Sequence, residues 1–417
     1  MSNVDKNKQI KETYLATLAK REKQRVRVFT VKIQQNKLNK QQAEHLKMLF
    51  VEAKWMKNHV LNLSNNTEIN VFDLKYTSLN EVTHLDKNKT PIINELKYLS
   101  SQMKQEVLTD IHTNIRALSK AKAKGMKVGK LNYVSEYNSI NLKQSGVSYK
   151  IVNKSKIKIQ GIKKPFKVNG LEQLEKLGVP YELANAKLIC KPSGYYIALT
   201  VYTDKNENFI KKPLIGIDMG CQTSFTLSDG TKLNCIVEES EQLKRTQRKL
   251  MRSKKGSSNR WKLRMKLRKL YERDSNVKNN LTNQLCSYLN NYQVVIQDEQ
   301  LKAWKRHHGK KIQHSIIGRV KARLILCEDT VVLDRFVPTT KLCRDCGNIH
   351  DTIRLWDREF VCPECGVVYD RDIHAAENMV WLYENIIGVE RTKFKPADFK
   401  ESLLRYFEGG NRKHLIL

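Results

Sequence analysis

No stretch of the 417 residues approaches the roughly 18 uninterrupted apolar residues that a membrane-crossing helix needs. Residues Met1 to Lys20 are polar and lysine-rich without the apolar centre of a secretory signal, so a soluble chain in the cytoplasm is expected. No basic amphipathic segment with a Trp/Phe face stands out, which sets membrane-surface binding aside. No internal repeat is evident. Acids are the scarcest class relative to their opposites: 43 Asp and Glu stand against 76 Lys and Arg, leaving a formal charge of +33 spread along most of the chain. A surface of that sign favours a polyanion, because binding to phosphates releases their condensed counterions. The plainer alternative is a ribosomal-type scaffold or a basic surface that serves solubility. The length exceeds that of one ordinary compact domain, and an apolar fraction of 40% suffices for two or more cores.

Of nine cysteines, Cys190, Cys221, Cys235, Cys286 and Cys327 are scattered in apolar or mixed surroundings and read as reduced core residues. The other four form two pairs, Cys343-Arg-Asp-Cys346 and Cys362-Pro-Glu-Cys365, each followed by glycine and separated by residues 347–361. A CxxC turn presents two thiolates from one knuckle, and two knuckles complete the tetrahedron that zinc prefers. Disulfides do not suit a reduced compartment, and a redox pair needs no duplicate. Structural zinc is the reading, with four sulfurs and no open position for catalysis.

Along the chain, Arg25 to Ile33 alternates polar and apolar residues and predicts a strand with one buried and one cationic face. Asn39 and Gln42 form a capping-box pattern ahead of a helical stripe at Leu46, Leu49, Phe50, Ala53, Met56 and Val60. A second stripe runs Leu96, Leu99, Met103, Val107, Ile111, Ile115, Leu118, with a polar, Asn-rich stretch between the two. Short strand-like runs follow at Ser148 to Val152, Lys156 to Ile159, Ala186 to Lys191 and Tyr195 to Thr203, the last two joined through Pro192-Ser193-Gly194. These strands and the N-terminal one are expected to share a β domain into which the helices are inserted. Beyond Lys211, strands are expected at Leu214 to Asp218 and Ser224 to Leu227, then a turn at Asp229-Gly230 and helices from Glu238 to Asn290 broken at residues 256–259.

Between Lys244 and Arg273 stand fourteen basic residues and one acid, Glu272. Leu263, Leu267, Leu270 and Tyr271 keep an apolar stripe by which this region can dock while offering phosphates the rest. The candidates for nucleic-acid contact are Lys244, Arg245, Arg248, Lys249, Arg252, Arg264 and Arg268; a solvated charge run is the plainer reading. Trp304 either stacks on a base or belongs partly to the core.

Three carboxylates lie at element boundaries. Asp218 ends the strand LIGID, Glu299 or its neighbour Asp298 ends Gln293-Val-Val-Ile-Gln-Asp-Glu, and Asp372 opens a helix behind the second cysteine pair. An acid closing a strand is by itself more often a cap. Strand, strand, helix is nonetheless where an RNase-H-like fold gathers its acids, and such a cluster suits magnesium-assisted phosphodiester hydrolysis. If the strand is regular, Asp298 and Glu299 point to opposite faces and only one meets the metal.

The segments GIDMGCQTSFTLSDG, VVIQDEQLKAW, CRDCG…CPECG and DRDIHAAENM occur in the order found in TnpB nucleases of insertion sequences, and KWMKNHVLN and KVGKLNYVSEYNSINLKQ also resemble that family. Two positions depart from its usual pattern: His374 replaces an asparagine, and QDE replaces a Glu-Asp pair. The resemblance implies an α/β and β multidomain chain. A β-barrel domain would span 1–35 and 125–210, with a helical recognition bundle inserted at 36–124. An RNase-H-like (RuvC-like) nuclease domain would span 211–340 and 367–400, with a four-cysteine zinc ribbon inserted at 341–366 and a tail at 401–417. It further implies a guide RNA, a DNA target cut beside a short adjacent motif, and magnesium at Asp218, Glu299 and Asp372. The family pattern and the longer side chain both favour Glu299 over Asp298. Alternatives are a compact type V CRISPR effector, a nuclease-dead RNA-guided regulator, and an RNA-independent DDE-type transposase or resolvase.

Overall fold

A computed structural model describes residues 3–387 except 68, 86–89, 206–211, 328, 351–352 and 355. The expected tail and the end of the second nuclease segment, residues 388–417, lie outside the described residues. The chain divides into two compact units, Met1–Glu207 and Asn208–Leu417. No helix among the described residues is long and apolar enough to cross a membrane.

The first unit begins with helix α1 (Asn3–Glu22), strand β1 (Gln24–Ile33) and helix α2 (Lys40–Asn66). A hairpin of β2 (Glu81–Leu85) and β3 (Pro91–Glu95) leads to α3 (Ser101–Ala123). Then come β4 (Ser139–Leu142), β5 (Tyr149–Asn153), β6 (Lys156–Ile159), β7 (Phe166–Asn169), the single turn α4 (Glu172–Glu175), β8 (Tyr181–Lys191) and β9 (Gly194–Asp204). Seven strands form one sheet in the order β4-β8-β9-β1-β7-β6-β5. Its edge strands, β4 and β5, are consecutive in the chain and joined by the short turn 143–148, where the Gly146 amide donates to the Tyr149 carbonyl at 2.8 Å. The edges therefore converge, the sheet is nearly a closed barrel, and the buried Tyr149 hydroxyl reaches across to the Ala184 carbonyl on β8 at 2.8 Å.

Local chemistry explains these elements. The Asn39 side chain accepts from the Gln42 amide at 2.7 Å while Gln42 returns a bond to the Asn39 amide, so the capping box starts α2 as expected. The apolar stripe of α2 is buried together with that of α3 and the inner face of the sheet in one cluster. Helix α3 starts later than its pattern suggested, because Ser100 caps it; Leu96 and Leu99 are buried on the approach instead. That approach is held by the buried Glu52 carboxylate, which accepts from the amides of Lys97, Tyr98 and Leu99. The alternation of β1 also needs correcting. Its buried side is Phe29, Val31 and Ile33, whereas Val26 and Val28 are more than half exposed on the same side as Lys32, since the apolar residues change parity between Val28 and Phe29.

The second unit holds β10 (Leu214–Asp218), β11 (Phe225–Leu227), β12 (Lys232–Leu233), α5 (Glu241–Arg252), α6 (Ser258–Leu289), β13 (Gln293–Gln297), α7 (Leu301–His314), α8 (Ile317–Leu324) and β14 (Thr330–Leu333). A small hairpin, β15 (Glu359–Val361) with β16 (Val368–Asp370), precedes α9 (Arg371–Leu382). The central sheet has the order β12-β11-β10-β13-β14; β11 is antiparallel to its neighbours, while β10, β13 and β14 run parallel. Parallel neighbours need crossovers, which α5–α6 and α7–α8 supply. Val294 and Ile296 join the core formed with α6, α7 and α8, and Val295 joins a cluster with Met379 of α9. Helices thus cover both faces, which explains the unbroken apolar run of β13.

Candidate active site and metal centre

Because β10 and β13 are parallel neighbours, their C-terminal ends emerge on the same edge of the sheet, Ile217 pairing with Ile296. Asp218 is the last residue of β10. Asp298 and Glu299 lie just past β13, so the expectation that they alternate across a regular strand does not hold. The Asp298 amide still bonds to the Leu333 carbonyl at 2.9 Å, after which the chain turns and the Glu299 amide bonds back to Gln297. Helix α9 brings the third acid: Asp370 caps it, accepting from the amides of Asp372 and Ile373 at 3.2 and 3.1 Å, and Asp372 stands in its first turn.

The approach of α9 to β10 depends on Gly216. A methyl group built there would meet the Ala376 carbonyl oxygen at 1.9 Å, so only a bare Cα lets the helix lie on the strand. Lys232 reaches from β12 to Asp370 at 2.6 Å and ties the helix start to the hairpin.

Electrostatics show which acids share a field. Burial, then the negative charges of Asp372 and Glu299, push the Asp218 carboxyl up to about 7, with Arg371 opposing. Glu299 is also raised, first by burial, with Lys321 lowering it and Asp298 raising it. Asp372 is the partner of two arginines: Arg371 at 3.0 Å and Arg358 at 3.8 Å. Arg371 also donates to the Arg354 carbonyl at 3.2 Å, linking the helix start to the loop before β15. Among the described residues only the four cysteines bring such ligand atoms within 4.8 Å of one another, so the three acids interact without closing to that spacing. A desolvated carboxylate flanked by two more is a donor set that suits a hard divalent cation.

The four cysteines do converge. Cys343 and Cys365 sulfurs are 3.6 Å apart, as are those of Cys346 and Cys362. Tetrahedral bonds of about 2.3 Å place sulfurs about 3.8 Å apart, so the cluster could bind zinc. Both knuckles close alike, Gly347 and Gly366 adopting φ of 75° and 74° and donating back to Cys343 and Cys362. His350, buried, lies 3.2 Å from the Cys362 sulfur through Nε2. The ribbon is joined to α9 by buried polar contacts. Both Asn378 Nδ2 and His374 Nε2 reach the Leu342 carbonyl at 2.8 Å, one residue before Cys343, and burial holds the His374 pKa below its usual value. His374 stacks on Tyr369 at 4.7 Å between ring centres.

Lys244, Arg245, Arg248, Lys249 and Arg252 are exposed on α5, which buries Leu243 and Thr246, and Arg264 and Arg268 are exposed on α6. Lys244 forms a fully exposed pair with Glu241. Arg260 serves structure, capping the end of α5 by donating to the carbonyls of Leu250 and Ser253. The apolar stripe is narrower than expected: Leu270 is buried and Leu263 and Leu267 are half-buried, but Tyr271 is exposed and its hydroxyl accepts from Gln247. Trp304 packs half-buried against the core. Cys190, Cys221, Cys235 and Cys286 are half-buried and unbridged, whereas Cys327 is exposed, a correction to its placement in a core. Lys321, Arg358, Arg371 and Gly216 were not singled out from sequence. Of these only Arg371, set between the two acids of DRD, carried a local signal.

Residues 199–304 match a family model described as a probable transposase, and residues 327–379 match the Cas12f1-like TNB domain model. A Streptomyces pristinaespiralis protein named "Putative RNA-guided DNA endonuclease" is 32% identical over 185 residues, 40% of this chain and 44% of that one. The match thus spans less than half of that relative. A cryo-EM structure of a Cas12f1–sgRNA–target DNA complex is similar at 14% identity, covering 85% of this chain and 98% of that one, with a TM-score of 0.24. The matched segments support a TnpB-like family for the chain.

Proposed function

We propose that this TnpB-like chain is an RNA-guided, magnesium-dependent DNA endonuclease whose metal-binding acids are Asp218, Glu299 and Asp372. The observation that carries this reading is the shared field of three carboxylates from β10, the turn after β13 and the first turn of α9, with Asp218 pushed up to about 7 by its burial and then by these neighbours. Magnesium held by these acids would supply Lewis acidity and a more acidic bound water for phosphodiester hydrolysis. Near neutral pH the Asp218 carboxyl is only partly charged, and a cation that offsets Glu299 and Asp372 would complete its ionisation. Gly216 and the Asp370 cap set where Asp372 stands, and Arg371 and Arg358 orient its two oxygens. The mixed five-stranded sheet with α9 laid on β10 supports an RNase-H-like, RuvC-like domain at 211–340 and 367–400, with the ribbon at 341–366 holding zinc. The seven-stranded sheet supports a β-barrel domain at 1–35 and 125–210 with a helical insertion at 36–124. Guide RNA and target DNA are the partners suggested by the name of the Streptomyces relative; the cut would fall beside a short adjacent motif, and the exposed cations of α5 and α6 would contact the phosphates.

The test is to purify the full chain with its co-purified RNA and compare Asp218→Asn, Glu299→Gln and Asp372→Asn on a matching DNA. Each variant is expected to bind and not cut in magnesium. Cleavage by any of them at the wild-type rate removes that residue from the site. The match of residues 327–379 to the Cas12f1-like model favours one second reading, a compact type V effector. A CRISPR array beside the gene would support it, and a transposon end would support the first.

A further inference from the structure

Helix α8 buries Ile317, Val320, Lys321 and Leu324, so a lysine occupies the helix's core-facing stripe and is only 8% exposed. A lysine so enclosed needs partners for its charge. Its Nζ donates to the Asp298 carboxylate at 2.7 Å and to the Glu299 carbonyl oxygen at 2.6 Å, so one ammonium holds both residues that follow β13. The Glu299 carbonyl also accepts from the Leu301 amide at 3.1 Å, which fixes the turn on its other side.

We propose that Lys321 is a positioning residue which, by holding Asp298 on the α8 side, commits Glu299 to the metal-binding edge of the sheet. The inference rests on the reading of Glu299 given above. Two adjacent carboxylates beyond a strand end would otherwise compete for one cation. Lys321 removes the competitor by pairing it and pins the main chain between them. The arrangement of charges agrees: Glu299 feels Lys321 from α8 as its chief attractive neighbour and Asp298 as a repulsive one. Asp298 retains a 55% exposed side chain, so its link to the protein is through this ammonium and not through enclosure.

The experiment uses the full chain with its co-purified RNA and reads the magnesium chloride concentration that half-saturates the rise in thermal midpoint, then the magnesium dependence of cleavage. Lys321→Met, similar in volume, is expected to raise the half-saturating concentration about tenfold or more, as loss of a ligand-orienting partner does. Adding Asp298→Asn to Lys321→Met is expected to bring it back towards wild type, because the released competitor is gone. If the methionine variant does not fold, Lys321→Gln, which keeps a donor for the Glu299 carbonyl, is measured the same way. An unchanged magnesium requirement overturns the proposal, and so does a rise that Asp298→Asn leaves in place, which would mark Lys321 as a packing residue. Glu299→Gln is run alongside: if it still cuts, the reading of the site fails and not merely the role of the lysine.

Discussion

Asp218→Asn should stabilise the magnesium-free protein, increasingly so as pH rises from about 4 to 7. The Asp218 carboxyl is displaced from 3.8 to about 7, so its contribution to stability is fully present below about pH 4 and is lost as pH rises through 7. Above that, a buried charge faces Asp372 and Glu299 with no cation. At about 1.4 kcal/mol per pH unit the displacement sets a ceiling of roughly 4 kcal/mol. Asp218 is half-buried as a residue, and solvent screening reduces the figure to about 2 kcal/mol. For a unit of this size that corresponds to a rise of about 4–8 °C in thermal midpoint. The assay is thermal unfolding of wild type and Asp218→Asn in magnesium-free buffer, without a chelator that would strip the cysteine site, at pH 5 and pH 8. The variant is expected to lead by less than half of the full gap at pH 5 and by the full gap at pH 8, with millimolar magnesium closing the gap by raising wild type alone. Titrations of groups that do not face Asp218 cancel in the difference. A gap independent of pH would refute the reasoning, because it would owe nothing to the carboxylate's charge.

Glu299→Gln should abolish cleavage of a guided target while binding persists, whereas Asp298→Asn should cut measurably; the reverse pattern in a single-turnover assay would make Asp298 the metal ligand. Native protein should carry about one zinc per chain by atomic emission, and replacing Cys343 and Cys346 with serine should release it and expose residues 341–366 to protease; absence of zinc from the native protein contradicts the site. Gly216→Ala places a methyl group 1.9 Å from the Ala376 carbonyl, so α9 must shift. About 1–3 kcal/mol of stability and at least roughly tenfold of cleavage rate should go with it, and a variant matching wild type in both measurements shows that the helix tolerates displacement. Charge reversal at Lys244, Arg248 and Arg252 should flatten the log-log salt dependence of nucleic-acid binding by about 0.9 for each duplex phosphate that the helix no longer neutralises; an unchanged slope assigns α5 to packing.

Much of the fold was legible where one residue type has one physical use. The Asn39–Gln42 box, the apolar run of β10 closed by Asp218 and the paired CxxC knuckles each have a local cause, and each stands where the pattern put it. Helix α1 was missed because its residues show little apolar periodicity, and the β2–β3 hairpin because a polar, Asn-rich stretch hides it. The sequence pattern extends β13 two residues beyond its end: Asp298 keeps a sheet bond, but pairing stops when Glu299 turns back to Gln297, where Lys321 of α8 bonds to the Glu299 carbonyl. Gly216 is silent for the same reason. Its need for a bare Cα exists only once α9 lies across β10. The candidate acids were thus visible as strand and helix ends, while the groups that orient them were visible only in the folded chain.

Guided cleavage itself is the most direct test. The full chain is purified with whatever RNA accompanies it, that RNA is sequenced, and the complex is given magnesium and two DNA duplexes, one complementary to the variable end of the RNA and one scrambled. The account predicts a discrete RNA species and cleavage of the complementary duplex alone. Absence of bound RNA, or equal cutting of both duplexes, would contradict it.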